Sequence, residues 1–174
     1  IERPLSFPGN DIPGVMLASA VRDYTVNFGV ASGDKIAIYT NNDDAYRTAI
    51  TLSGVGIDIP VIIDARVSGG GELAERARAL GIRVENGKAI SKVLGKKRVR
   101  AIEICEHSDS SKGNQKIECD CIAMSGGWSP VVHLYSHCGG KLKWDEKLAL
   151  FRPDSSAKPT SYDGLPFVTA VGSA

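Results

Sequence analysis

The stretch that most constrains this chain is residues 35–66, KIAIYTNNDDAYRTAITLSGVGIDIPVIIDAR. An apolar strand over 36–39, a polar turn, a helix carrying Ala45, Ala49 and Leu52 inward, and a second apolar strand over 61–63 ending at Asp64 make a βαβ unit. Where such a unit holds a dinucleotide, three glycines separate the first strand from the helix. They form the turn, admit the pyrophosphate to the backbone and let helix and strand pack closely. Here the turn reads Thr40, Asn41, Asn42, Asp43, Asp44. Side chains occupy the phosphate's space, and two carboxylates sit at the helix N-terminus, where they suit the dipole but repel an anion.

Asp64 lies at the position, roughly 20 residues beyond the turn, of the acid that holds a ribose hydroxyl, and Arg66 is placed to meet a 2′-phosphate. The competing reading is that Asp64 caps the strand end and Arg66 is a solvated charge. Asn41 and Asn42 are the turn's own candidates for contact with a nucleotide.

From residue 68 a run Ser-Gly-Gly-Gly lacks the Gly-Lys-Ser/Thr of a phosphate loop and reads as a flexible lead into a helix over 72–80. That helix is predicted to bury Leu73, Ala77 and Leu80 and to end at Gly81, before a third parallel strand at 82–84. An earlier helix is expected from about Val15 to Phe28, stopped by Gly29. From Lys88 the rhythm becomes strand and strand: 89–94, a basic turn, 99–105, a polar loop and 117–119, followed by a last parallel strand at 122–125. The predicted fold is α/β, three-layered and Rossmann-like: a parallel sheet with helices on one side and an antiparallel β-meander on the other. Beyond it, Ser129 and Pro130 have the pattern of an N-cap and first helical residue, 142–145 and 148–151 can pair, and a final strand is expected over 167–172.

The chain has 174 residues, 43% hydrophobic and 24% charged, with a formal net charge of +1. This is an ordinary soluble composition, with nothing to recruit a nucleic acid. Lys96, Lys97, Arg98 and Arg100 read as a hairpin tip, without the aromatic platform that single strands require. The four cysteines lack paired C-x-x-C spacing, and Cys119 and Cys121, two apart on a predicted strand, should share a face. No metal site is predicted. With no apolar run of bilayer length and no signal-peptide pattern, a cytoplasmic protein is expected. The chain opens on Ile1 rather than methionine, which suggests a fragment or processed piece.

Three motifs carry a family resemblance: RPLSFPGNDIPGVMLA at 3–18, YTNNDDAYRTA at 39–49 and SGGWSPVVHL at 125–134. Together they resemble the alpha subunits of heterotetrameric sarcosine oxidases, over nearly the whole chain. The first is shared with related amino-acid and opine oxidase or dehydrogenase subunits. The resemblance implies a much longer polypeptide in which residues 33–125 form an NAD(P)-binding-like domain inserted into an outer dinucleotide-binding-type domain, to which 1–32 and 126–174 belong. It also implies oxidative demethylation of sarcosine to glycine by a complex with NAD in the alpha subunit and FAD and FMN elsewhere, with the other subunits as partners. No catalytic motif falls within these residues, so no catalytic residue is assigned. Val171-Gly172-Ser173-Ala174 resembles a flavin-contacting Gly-Asp segment, with Ser173 in place of the acid. Two alternatives stand beside this reading: an autonomous NAD(P)-binding reductase module, and a non-catalytic domain for subunit interaction.

Overall fold

The computed structural model describes residues 1–170. Two compact units divide the chain, one running from Glu2 to Gly127 and the other comprising Ile1 with the segment from Trp128 onward.

The first unit holds β1 (Val15–Leu17), α1 (Ala18–Phe28), β2 (Ile36–Thr40), α2 (Asp44–Gly54), β3 (Ile62–Asp64), α3 (Gly71–Ala79), β4 (Val84–Asn86), β5 (Lys88–Gly95), β6 (Val99–Glu106), β7 (Gln115–Glu118) and β8 (Cys121–Ser125). Five strands form a parallel sheet in the order β1-β8-β2-β3-β4, and β5-β6-β7 form an antiparallel sheet. Every residue of β2 is buried, because side chains alternate between two covered faces. Ile36 and Ile38 enter a core with Val21 of α1, Leu52 of α2 and Ala77 of α3, whereas Ala37 and Tyr39 enter one with Ile102 and Ile104 of β6. The three layers predicted from the rhythm of the chain are therefore present, with the sheet between helices and meander.

Several local expectations are corrected. Val15, Met16 and Leu17 form no helical turn but the strand β1, paired in parallel with β8 at Val15↔Ile122. A three-residue apolar run fits either period, and the exposed edge of β8 decides it. Along α3 the buried residues are Ala74 and Ala77, while Leu73 is half-buried and Leu80 is 54% exposed at the C-cap. Small side chains let this helix approach Tyr46 closely. Cys119 and Cys121 do not share a face: the chain crosses between sheets at Asp120, so Cys119 packs on the meander side and Cys121 on the helix side. The Asp120 carboxylate fixes the crossing by accepting the Asp34 and Lys35 amides at 3.0 Å each.

A further correction lies in the second unit, where α4 spans only His133–His137 with Val132 at its N-cap. Ser129 and Pro130 do not start it, because the Ser129 backbone is committed elsewhere: its amide donates to the Ile1 carbonyl at 2.8 Å and its carbonyl accepts the Ile1 amino group at 2.7 Å. β9 (Leu142–Asp145) and β10 (Leu150–Pro153) pair antiparallel as expected, and Trp144 meets Phe151 edge-to-face with ring centroids 5.0 Å apart. Residues 167–170 are not in a strand, and the remainder of that expected strand, with the flavin-like segment 171–174, lies outside the described residues.

Candidate functional site: the crevice at the ends of the parallel strands

In an open parallel sheet, ligands bind beyond the carboxyl ends of the strands where the strand order reverses. Here the chain leaves β2 toward β3 on one side while β8 lies on the other, so the crevice falls between the ends of β2 and β8. The turn after β2 and the segment Ser125–Gly127 are its walls.

Side chains of the turn are bonded across this crevice. Asn42 Nδ2 donates to both the carbonyl oxygen and the Oγ of Ser125 at 3.0 Å. Its Oδ1 accepts the Asp44 amide at 3.1 Å, capping the start of α2 from one residue before the helix cap. Thr40 Oγ1 accepts the Asn42 amide at 3.0 Å, and the Asn41 amide reaches the Ser125 carbonyl at 3.3 Å. The Asn41 side chain is exposed. The chain's own N-terminal segment covers the end of β8: Gly126 donates to the Arg3 carbonyl at 2.7 Å, and the Arg3 amide donates back to Gly127 at 2.8 Å. A Cβ on Gly126 would stand 2.7 Å from the Pro4 carbonyl oxygen, so only glycine allows this approach.

Asp64, at the end of β3, is fully buried and fully used. Its Oδ1 accepts the Arg66 amide and Nε at 3.0 Å each, and its Oδ2 accepts Tyr46 Oη at 2.9 Å and Arg66 Nη2 at 2.7 Å. Four donors fill the acceptor sites of a carboxylate, two of them from the fork of one guanidinium. Arg66 Nη2 also meets Asp43 Oδ1 at 2.7 Å, and that oxygen accepts the Gly70 amide at 3.0 Å. The hydrogen bond from Arg66 holds the Asp43 carboxyl below its ordinary range, and bonding to Asp64, ahead of that to Asp43, raises the Arg66 pKa. Burial, with the Asp64 charge second, raises the Tyr46 phenol.

The structure thus joins Asp64 and Arg66 with Asp43 and Tyr46 in one latch and ties Asn42 to Ser125 on the opposite side of β2. Sequence reasoning missed Tyr46, Ser125 and the function of the glycine run. Gly69 and Gly70 are not a loose lead but a close approach. A side chain on Gly69 would collide with Asp64 and Arg66, and Gly70, at φ +81°, has the Tyr46 ring 2.6 Å from where its Cβ would be. Three adjacent glycines five residues after a buried acid were the available signal.

Among the described residues no group of three or more His, Cys, Asp or Glu side chains is placed to hold a metal, and no helix is long and apolar enough to cross a membrane. Burial pushes the Cys119 and Cys121 thiols up to about 12, leaving them protonated at neutral pH. Cys138, by contrast, is exposed. Iodoacetamide at neutral pH should therefore alkylate Cys138 first and leave Cys119 and Cys121 unmodified in the folded chain, as read by peptide mass mapping. Early modification of Cys119 or Cys121 would contradict the packing described.

No family profile matches the chain. Among solved structures it superposes on thioredoxin reductase of T. acidophilum with a TM-score of 0.64 at 13% identity, covering 94% of this chain and 54% of that one. A FAD-dependent pyridine nucleotide-disulphide oxidoreductase of Desulfovibrio vulgaris gives 0.60 at 16% identity, over 84% of this chain and 38% of the other. At such identities the likeness is one of fold, and it establishes the FAD/NAD(P)-binding-type architecture. Sequence relatives are nearer. The sarcosine oxidase subunit alpha of Rhizobium meliloti is 40% identical over 157 residues, 90% of this chain and 15% of the relative. Its counterpart in Corynebacterium sp. strain P-1 is 38% identical over 159 residues, 89% of this chain and 16% of the relative. The chain is similar to one segment of sarcosine oxidase alpha subunits and spans about 15% of their length.

Proposed function

We propose that the chain is a structural, cofactor-adjacent segment of a sarcosine oxidase-like oxidoreductase, and that its crevice holds its own side chains in place of a dinucleotide. The whole enzyme would oxidatively demethylate sarcosine to glycine in the cytoplasm, with NAD in the alpha subunit, FAD and FMN elsewhere in the complex, and the other subunits as partners. The names of the relatives and their identity to this chain support the parent reaction. For the longer polypeptide we propose an inserted domain flanked by two parts of an outer one, the expected division being 33–125 within 1–32 and 126–174.

The observation that carries the proposal is the saturation of Asp64. To hold a ribose hydroxyl the Asp64 carboxylate, which has no exposed surface, would have to release Tyr46 or Arg66, and Arg66 would have to leave two carboxylates to meet a 2′-phosphate. Calorimetric titration with NAD and with NADP should show no saturable heat. Micromolar binding that disappears in Asp64→Ala would establish the alternative, a working NAD(P) module with Asp64 and Arg66 on the adenosine ribose.

A further inference from the structure

The outer surface of the helical layer carries a second feature, unrelated to the latch. Arg22 of α1, Arg47 of α2 and Arg76 of α3 line one cleft of about 350 Å³ whose remaining walls are Ile50, Thr51 and Leu73. Three helices each contribute a guanidinium, and no carboxylate lines the cleft. Of the three, Arg22 is paired with Asp44 at 3.3 Å. Glu75, a neighbour of Arg76 in sequence, is taken by Arg78 at 2.6 Å, and Asp23 accepts a hydrogen bond from Asn27. In a chain of net charge +1, three cations around one concavity repel each other unless something anionic sits between them.

The shape of the surface indicates what that anion is. A larger cleft of about 560 Å³ continues along α1, sharing Arg22 and Thr51 and adding Val26 and one carboxylate, Asp23, so the two make one elongated groove whose cationic end is the three-arginine cleft. Packed helices lie about 8–10 Å apart, which sets the spacing of charges carried on neighbouring helices. Carboxylates two or three residues apart on an extended chain are separated by about 7–10 Å. A single phosphate or small carboxylate engages one guanidinium fork and leaves the rest of the groove unfilled. Half-buried Ile50 and Leu73 offer an apolar floor between the cations.

We propose that this groove docks an extended acidic segment of a partner polypeptide, with its carboxylates on Arg22, Arg47 and Arg76. The probe is a fluorescein-labelled peptide alternating glutamate and leucine, titrated by fluorescence anisotropy against the 174-residue chain at low salt, with the glutamine peptide as its neutral control. The double variant Arg47→Gln, Arg76→Gln should weaken binding about tenfold, since it removes two partly exposed charge-assisted contacts. Lys96→Gln, Lys97→Gln, at the basic hairpin tip between β5 and β6, should leave it unchanged. Both pairs lie on exposed positions, and circular dichroism of each variant verifies the fold. Absence of binding by the glutamate peptide, equal binding of the glutamine peptide, undiminished binding by the Arg47, Arg76 variant, or equal weakening by both variants would each overturn the proposal. So would full displacement of the peptide by inorganic phosphate at a concentration that saturates one site, which would identify a small-anion site instead.

Discussion

Replacing Asp64 with alanine should destabilise the unit formed by residues 2–127 by ~3 kcal/mol, because it takes away the acceptor of the Tyr46 hydroxyl and of the Arg66 amide and Nε. Tyr46 is fully buried, so its hydroxyl cannot recover a water molecule. Arg66 is one-third exposed at its side chain and retains Asp43, which places the loss at the lower end of the range for a broken buried pair. For a unit of this size the melting temperature should fall by on the order of 10 °C. Gly70→Ala attacks the same latch from the other side, since it forces a side chain into a left-handed backbone position against Tyr46 and Ala74. Urea denaturation of both variants is the measurement, and a shift below about 1 kcal/mol for Asp64→Ala would mean that the latch contributes little. Acid should weaken the latch through Asp43 as well. Its carboxyl is held below the ordinary value of 3.8 in the folded chain, so this stabilisation is complete above that value and is lost as the pH falls through the depressed one. Asp43 is more than half exposed, which keeps its share small.

The placement of Asp64 and Arg66 at the mouth of the sheet was legible from the sequence, because an apolar strand ending in an acid fixes where that acid sits. What their side chains touch was not legible. Tyr46 reaches Asp64 only because of the rotation at which α2 packs, and the tripeptide 69–71 closes over the acid only because α3 presents Ala74 rather than a larger residue. Both are tertiary facts with no local signature. Gly29 and Gly81 did announce the ends of their helices, since both adopt positive φ just past the last turn. β1 could not be announced in the same way: three apolar residues satisfy a helix or a strand equally well, and the choice belongs to β8, which follows more than a hundred residues later. The start of α4 shows the same limit. Ser129 and Pro130 have the right side chains for a helix start, but their effect is overridden by a backbone pair between Ser129 and Ile1, 128 positions away.

Ile102→Ala should cost ~3 kcal/mol and should be felt throughout the three-layered unit, not in the meander alone. Ile102 is fully buried on β6, in register with Val93 of β5 and Ile117 of β7, so its side chain is the middle of a row of three. That row belongs to the core that includes Ala37 and Tyr39 of β2, Val61, and Ile63 of β3. Truncation opens a cavity flanked on both sides along the meander and roofed by the parallel sheet, a geometry with little room to collapse. Glu103, the next residue along β6, is half-buried and outside both apolar cores, so Glu103→Ala should change stability by no more than about 0.5 kcal/mol. Hydrogen exchange then decides whether the layers act together. β2 contributes alternate residues to both cores, so loss of packing on the meander side should lower the protection of its amides as much as that of β6. Wild-type protection at Ile36 and Ile38 in the Ile102→Ala variant would show that the parallel sheet and its helices are stable without the meander. The unit would then consist of two folding layers instead of one.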